Sequence, residues 1–158
     1  MNAGRLLAVA LALNLGTGLG ATPLFTLRKL DGSSFRLADH LGKQSIVLDF
    51  WATWCGPCTR SLKKLQELHE QFPEALVLAI AIDDGQSVAR VNQYVQGRGF
   101  TFTVLLDPEA SALRMFNPEG GVPTTVVLDR RGGIVYSHVG YLPGDEKAVA
   151  EQLRKPVR

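Results

Sequence analysis

The sequence contains only two cysteines, and they lie three positions apart at Cys55 and Cys58. A small domain that is held together by disulfides usually needs several bridges, so this chain is not a disulfide-stapled scaffold. The net charge is only +2 at pH 7, and the basic residues are scattered. This charge pattern gives no indication of a nucleic-acid partner. Hydrophobic residues make up 46% of the 158 residues, which is enough for one packed domain.

The first 21 residues have the layout of a secretory signal peptide. Arg5 precedes an apolar run at residues 6–15, and small residues follow as far as Ala21. The run is short for a membrane span, which needs about 20 apolar residues. We therefore expect residues 1–21 to be a signal peptide or an N-terminal membrane anchor. Residues 22–158 are expected to form one domain in a periplasmic or other extracytoplasmic, oxidising compartment.

From residue 22 onward, the apolar pattern predicts alternating strands and helices. An apolar run at residues 46–51, interrupted only by Asp49, and a continuous apolar run at residues 76–82 predict central parallel strands that are covered on both faces. Between them, apolar residues spaced three and four apart predict an amphipathic helix. The other predicted elements are a hairpin (24–30 and 33–36), a helix (86–96), a strand (103–106), a helix from Pro108, a hairpin (124–128 and 134–139) and a helix (145–153). This order predicts an α/β sandwich with a mixed sheet.

The motif Cys55-Gly56-Pro57-Cys58 lies where the strand at residues 46–51 gives way to the following helix. Unpaired N–H groups and the helix dipole at such a place stabilise a thiolate, which is the nucleophile of disulfide exchange. Pro57 is tolerated in a first helical turn, and a spacing of three brings the two cysteines close enough to bridge. Cys58 can then resolve a mixed disulfide that forms at Cys55. The motif therefore predicts a redox-active disulfide.

Other uses of a Cys-x-x-Cys pair fit the sequence less well. A zinc site needs two further ligands at suitable spacing, but the three histidines are far apart in the chain. A c-type haem site needs a histidine directly after the second cysteine, where this chain has Thr59. We therefore expect no metal and no cofactor besides the disulfide, and a purely structural disulfide is the alternative. Acids at the ends of predicted strands are expected to be turn or capping residues: Asp83, Asp84 and Asp107.

At these residues the sequence resembles the thioredoxin superfamily. Residues 48–58, LDFWATWCGPC, match its active-site strand and helix start, and the WATWC part is typical of the TlpA, ResA and CcmG (DsbE) branch. Further matches lie at residues 30–37, 42–43, 102–107, 121–125 and 129–133. The resemblance covers about residues 24–154. It implies a thioredoxin-like three-layer sandwich with a mixed central sheet, an N-terminal hairpin and an extra helix–strand insertion.

The resemblance also implies which residues contact the substrate. Pro123 corresponds to the family's cis-proline beside the disulfide, and a cis bond before proline costs only about 1 kcal/mol. The substrate peptide is then expected to pair with the backbone of Val122. Trp54 is expected on the surface, where it can contact a partner, with Gly56 and Pro57 on the same substrate-binding surface.

Asp49 is the one charged residue in its predicted strand, and burial should raise the pKa of its carboxyl group. The matching residue in thioredoxins is a proton shuttle, which implies that Asp49 accepts the proton of Cys58 through water. Ala79 stands about where thioredoxins usually have a lysine. Ser61 and Lys63 replace an acid and a proline of the closer branch, so a straighter active-site helix is expected.

The expected function is that of an exported thiol–disulfide oxidoreductase. Gly-Pro between the cysteines is the pair of reducing thioredoxin, whose potential is about −270 mV, against about −120 mV for the oxidant DsbA. This favours a reductase of disulfides in exported proteins, supplied by a membrane-bound electron donor, in cytochrome c maturation or related periplasmic redox homeostasis. The alternatives are a disulfide-forming oxidant, a peroxiredoxin-like peroxidase, and a binding module whose disulfide is structural.

Overall fold

The computed structural model describes residues 22–155, so the predicted signal peptide or anchor lies outside the described residues. Within this range the chain forms seven strands and four α-helices. They are β1 (Thr26–Lys29), β2 (Ser34–Arg36), β3 (Ile46–Trp51), α1 (Cys58–Gln71), β4 (Leu76–Ala81), α2 (Val88–Gly97), β5 (Thr103–Leu106), α3 (Ser111–Phe116), β6 (Thr124–Leu128), β7 (Ile134–Val139) and α4 (Asp145–Arg154). None of the helices in residues 22–155 is long and apolar enough to cross a membrane.

The strands form one mixed sheet in the order β2-β1-β5-β4-β3-β6-β7. β3, β4 and β5 run parallel to one another, because each is connected to the next by a crossover that contains a helix. β6 and β7 form an antiparallel hairpin beside β3, and the N-terminal hairpin pairs with β5. The predicted mixed sheet is confirmed, including its N-terminal hairpin and the extra α2–β5 segment.

Both faces of the central strands are covered, which explains why β3 and β4 are almost continuously apolar. Successive side chains of β3 point to opposite faces. Val47 and Trp51 pack in one cluster with apolar residues of α1, α2 and α4. Ile46, Leu48 and Phe50 pack in the other cluster, with α3 and aromatic side chains from the N-terminal region. The molecule is therefore the predicted three-layer sandwich.

The helix that was predicted to start at Pro108 starts three residues later, at Ser111. The Ala110 N–H donates to the carbonyl of Asp107 at 2.8 Å, so a turn precedes the helix. Ala110 itself has a left-handed backbone with φ of 51°. The Asp107 carboxylate then accepts the N–H groups of Ser111 and Leu113. The prediction of a helix start at Pro108 was wrong because a buried aspartate caps the helix from four residues before it.

Candidate active site

Cys55 and Cys58 are joined by a disulfide, with their Cα atoms 5.3 Å apart. Cys58 is the first residue of α1 and is completely buried, whereas Cys55 lies in the preceding turn and is 6% exposed. Pro57, between them, already has helical backbone angles. The N–H of Cys58 donates to Sγ of Cys55 at 3.3 Å. The sulfur of Cys55 therefore receives a helix-terminal N–H group, which stabilises negative charge there.

The loop between β3 and α1 is tied to the neighbouring strand by an aspartate. Asp83 follows β4, is 5% exposed, and accepts the backbone N–H of Thr53 at 2.9 Å and the Thr53 hydroxyl. The N–H of Cys55 in turn donates to the carbonyl of Ala52 at 3.1 Å. Asp83 was predicted to be a turn or capping residue, and its contact with the cysteine loop was missed. One feature of the sequence indicated this contact. Asp83 directly follows a predicted central parallel strand, and the strand before the cysteine loop ends at the same edge of the sheet.

The peptide bond between Val122 and Pro123 is cis. The register pairs Thr124 with Phe50 of β3, so this loop lies at the same end of the sheet as the disulfide. Within residues 22–155, neither the N–H nor the C=O of Val122 makes a hydrogen bond. Asn117 holds the loop by donating to the carbonyl of Gly121 at 3.3 Å and to the Thr124 hydroxyl at 3.1 Å. The sequence reasoning gave Asn117 no role.

Asp49 lies in the middle of β3 with 2% of its surface exposed. Burial raises the pKa of its carboxyl group to about 7, and the hydrogen bond from Thr125 acts in the opposite direction. The Thr125 hydroxyl donates to Oδ2 of Asp49 at 2.8 Å, whereas Oδ1 has no partner within the described residues. Ala79 is its neighbour in β4, so no lysine offsets the burial at that position. The predicted burial of Asp49 is confirmed.

The two tryptophans near the motif differ in exposure. Trp51 is completely buried and packs against Tyr94, with ring centroids 5.1 Å apart. Trp54, which precedes Cys55, is 65% exposed. Gly56 and Pro57 are exposed beside it. The residues expected to contact a substrate therefore include an aromatic side chain on the open surface next to the disulfide.

The three acids near strand ends occupy separate positions. Asp107 caps α3, Asp83 binds the cysteine loop, and Asp84 accepts the N–H of Gln86 at 3.0 Å. In the part of the chain that the structure describes, no three His, Cys, Asp or Glu side chains are grouped as metal ligands. The redox group that the geometry presents is the disulfide itself.

Comparison with known proteins agrees with this geometry. Residues 20–137 match the sequence model of the AhpC/TSA family. Thiol-disulfide oxidoreductase ResA of Geobacillus kaustophilus is 33% identical over 117 residues, which are 73% of this chain but only 66% of the relative. ResA of Halalkalibacterium halodurans is 30% identical over 134 residues, covering 84% of this chain and 74% of the relative.

Many solved structures share the fold, and two of them are good examples. One is a protein from Chlorobium tepidum proposed to be thiol:disulfide interchange protein DsbE, with a TM-score of 0.74, 30% identity, and coverage of 83% of this chain and 91% of the other. The other is the exposed lipoprotein thioredoxin Etrx1 of Streptococcus pneumoniae, with a TM-score of 0.69, 26% identity, and coverage of 84% and 98%. The chain therefore belongs to the AhpC/TSA family, and its described residues form a thioredoxin-like domain similar to those of ResA and DsbE proteins.

Proposed function

We propose that this protein reduces disulfide bonds of exported proteins by means of the Cys55–Cys58 pair. The observation that carries the proposal is the position of that pair at the start of α1, where the N–H of Cys58 lies 3.3 Å from Sγ of Cys55. After reduction, the same N–H and the helix dipole favour a thiolate on Cys55. Cys55 is the more exposed of the two residues, so it is the one that attacks the substrate.

The reaction has two exchange steps. The Cys55 thiolate attacks one sulfur of the substrate disulfide, which forms a mixed disulfide and releases the other substrate sulfur as a thiolate. The Cys58 thiolate then attacks Sγ of Cys55, which forms the Cys55–Cys58 disulfide and releases the second substrate thiolate. Two electrons pass from the protein to the substrate, and a membrane-bound dithiol donor restores the reduced form.

Asp49 is the proposed proton acceptor for Cys58. Both residues lie on the α1 side of the sheet, since Asp49 shares its face of β3 with Val47 and Trp51. A carboxyl group with a pKa of about 7 takes up and releases protons near neutral pH. Asp49 can therefore take the Cys58 proton through water and pass it on between turnovers.

The substrate-binding surface is proposed to consist of Trp54, Gly56, Pro57, Val122 and Pro123. The exposed indole of Trp54 offers apolar contact area beside Cys55. The backbone N–H and C=O of Val122, which are unpaired within residues 22–155, can bind an extended peptide as an added strand would.

The proposed place of action is outside the cytoplasm, through a cleaved signal peptide or an N-terminal anchor. The signal-like layout of residues 1–21 supports this, as does the description of the similar Streptococcus protein as an exposed lipoprotein. Similarity to ResA and DsbE proteins supports a role in cytochrome c maturation or related thiol reduction. The substrates are then oxidised thiols of exported proteins.

The reduction potential of the Cys55–Cys58 couple tests the proposal. The protein is equilibrated in defined dithiol buffers and followed by tryptophan fluorescence, because Trp54 adjoins the disulfide. A potential below about −220 mV supports a reductase, and one above about −150 mV would make disulfide formation the function. Replacement of Cys58 by alanine should trap a mixed disulfide at Cys55. Rapid consumption of peroxide by the reduced protein, with no exchange with disulfides, would instead indicate a peroxidase.

A further inference from the structure

An open groove lies beside the exposed indole of Trp54 and extends the proposed substrate-binding surface toward α2. It has a volume of about 410 Å³ and is lined by Thr53, Trp54, Arg90, Gln93 and Tyr94. Three of these residues come from α2, in the extra helix–strand segment between β4 and β5. The groove therefore connects that segment with the residue next to Cys55.

Tyr94 gives the groove a rigid wall. Its ring packs against Trp51 at 5.1 Å, and its hydroxyl shares a hydrogen bond of 2.8 Å with the hydroxyl of Thr59 in the first turn of α1. The guanidinium of Arg98 stacks on the ring, 3.5 Å from its centre. These three contacts already restrict the Tyr94 side chain. It therefore loses little conformational entropy when a partner binds, which favours binding at this place.

Arg90 supplies an available positive charge. It is exposed, and within residues 22–155 it forms no ion pair and no side-chain hydrogen bond. Arg98 differs, because its guanidinium is engaged with Tyr94. No Asp or Glu of the described residues lines the groove. The acids of the nearby loop have other partners, since Asp83 binds Thr53 and Asp84 binds a backbone N–H.

We propose that this groove binds an acidic residue that lies a few positions from the disulfide of the substrate protein, and that Arg90 selects it. A free guanidinium beside an aromatic wall and the amide of Gln93 is suited to a carboxylate carried on an extended segment. An extended chain advances about 3.3 Å per residue, so a segment that crosses Trp54 reaches the groove within a few residues. The proposal rests on the proposed function and adds a substrate preference to it.

The test compares two peptides that contain the same disulfide and differ only at the flanking positions, with glutamate in one and lysine in the other. The reduced protein is expected to act on the glutamate peptide with a kcat/KM about fivefold higher at low salt. Since exposed charges are screened by salt, the preference should shrink at about 0.5 M NaCl. Each rate is divided by the rate with hydroxyethyl disulfide, an uncharged small disulfide, which isolates recognition from exchange chemistry.

Arg90→Gln should abolish the preference, and Arg131→Gln should retain it. Arg131 is a suitable control because it is exposed in the β6–β7 turn, and the register places that turn at the opposite end of the sheet from the disulfide. Equal rates on the two peptides with the wild-type protein, or a preference that survives Arg90→Gln, would overturn the groove proposal alone. A wild-type protein that reduces neither peptide nor hydroxyethyl disulfide would instead refute the proposed function.

Discussion

The carboxylate of Asp83 binds Thr53 twice, through the backbone N–H at 2.9 Å and through the side-chain hydroxyl. Asp83 follows β4, whereas Thr53 lies in the loop after β3, two residues before Cys55. The contact therefore joins the ends of two parallel strands and fixes the loop that presents the reactive sulfur. Asp83 acts on Cys55 only through Thr53, which makes it a positioning residue.

Replacing Asp83 with asparagine should weaken this contact, because an amide keeps only one acceptor oxygen and carries no charge. The free energy of unfolding is expected to fall by about 1–3 kcal/mol, as for a buried hydrogen bond to a charged group. The rate of disulfide reduction should fall with it, because the cysteine loop loses its anchor. Urea unfolding of the oxidised protein and reduction kinetics measure the two effects.

The matched control for this change is Asp84→Asn, because Asp84 is exposed and only accepts one local N–H. Its unfolding free energy should stay within about 0.5 kcal/mol of that of the wild type. Thr53→Val removes the hydroxyl and keeps the N–H, so its free energy of unfolding should lie between those of Asp83→Asn and Asp84→Asn. If Asp83→Asn and Asp84→Asn have the same free energy of unfolding and the same reduction rate, the contact between Asp83 and Thr53 does not hold the loop.

The buried carboxyl of Asp49 should make stability depend on pH. Its pKa of about 7 in the folded protein is above the ordinary value of 3.8. Between about pH 4 and about pH 7 the folded state binds more protons than the unfolded state, so stability falls as pH rises and then levels off. At about 1.4 kcal/mol per pKa unit, the loss across this window is on the order of 4 kcal/mol.

Asp49→Asn should lack this loss, so its stability advantage over the wild type should grow between about pH 4 and about pH 7. Urea unfolding of both oxidised proteins across this range measures the difference, from which all other titrating groups cancel. The same variant should reduce disulfides more slowly near pH 7, because the proposed acceptor for the Cys58 proton is absent. A difference in unfolding free energy that does not change with pH would show that Asp49 is ionised normally.

The Thr125 hydroxyl should tune the titration of Asp49. It donates to Oδ2 at 2.8 Å, which lowers the carboxyl pKa against the effect of burial. Thr125→Val keeps the shape and removes the donor, so the pKa of Asp49 is expected to rise above about 7. When the unfolding free energy is compared with that of Asp49→Asn, the pH range over which stability falls should then extend to higher pH. Thr103→Val in β5 is the control, since the Thr103 hydroxyl forms no hydrogen bond within residues 22–155, and it should leave this pH range unchanged.

The sequence predicted the parts of this molecule that depend on local patterns. The apolar run at residues 46–51 predicted β3, and the hairpin pattern predicted β6, both with the bounds that the structure has. Trp-Cys-Gly-Pro-Cys indicated the chemistry, because its residue types suit a helix start whatever the rest of the fold. The burial of Asp49 followed from its apolar neighbours. The family resemblance, rather than any local pattern, led to the expectation for Pro123.

The sequence did not predict contacts between residues that only the tertiary structure brings together. Asp83 and Thr53 are thirty positions apart in the chain, and the end of a strand says nothing about which loop lies beside it. The groove at Arg90 likewise depends on how α2 packs next to Trp54. The error at Pro108 has a different cause, because proline at a helix start is a statistical preference that the side chain of Asp107 overrides here.

Asp107 caps α3, the helix that leads into the cis-proline loop, so replacing Asp107 tests whether the cap supports that loop. Its completely buried carboxylate accepts N–H groups of α3 from Ser111 at 2.9 Å and Leu113 at 3.0 Å. Asp107→Ala removes the acceptor from both N–H groups and leaves that of Leu113 buried without a partner, so the free energy of unfolding should fall by about 2 kcal/mol or more. α3 leads into Asn117, which holds the cis-proline loop, so loosening α3 should also raise the KM for a peptide disulfide. Asp107→Asn, which keeps one acceptor, should have a smaller effect on both quantities.

Faster hydrogen exchange at the amides of Ser111 and Leu113 would locate the change in the cap. Unaltered exchange at those amides, together with an unchanged KM, would show that the Asp107 carboxylate does not support α3 and the cis-proline loop.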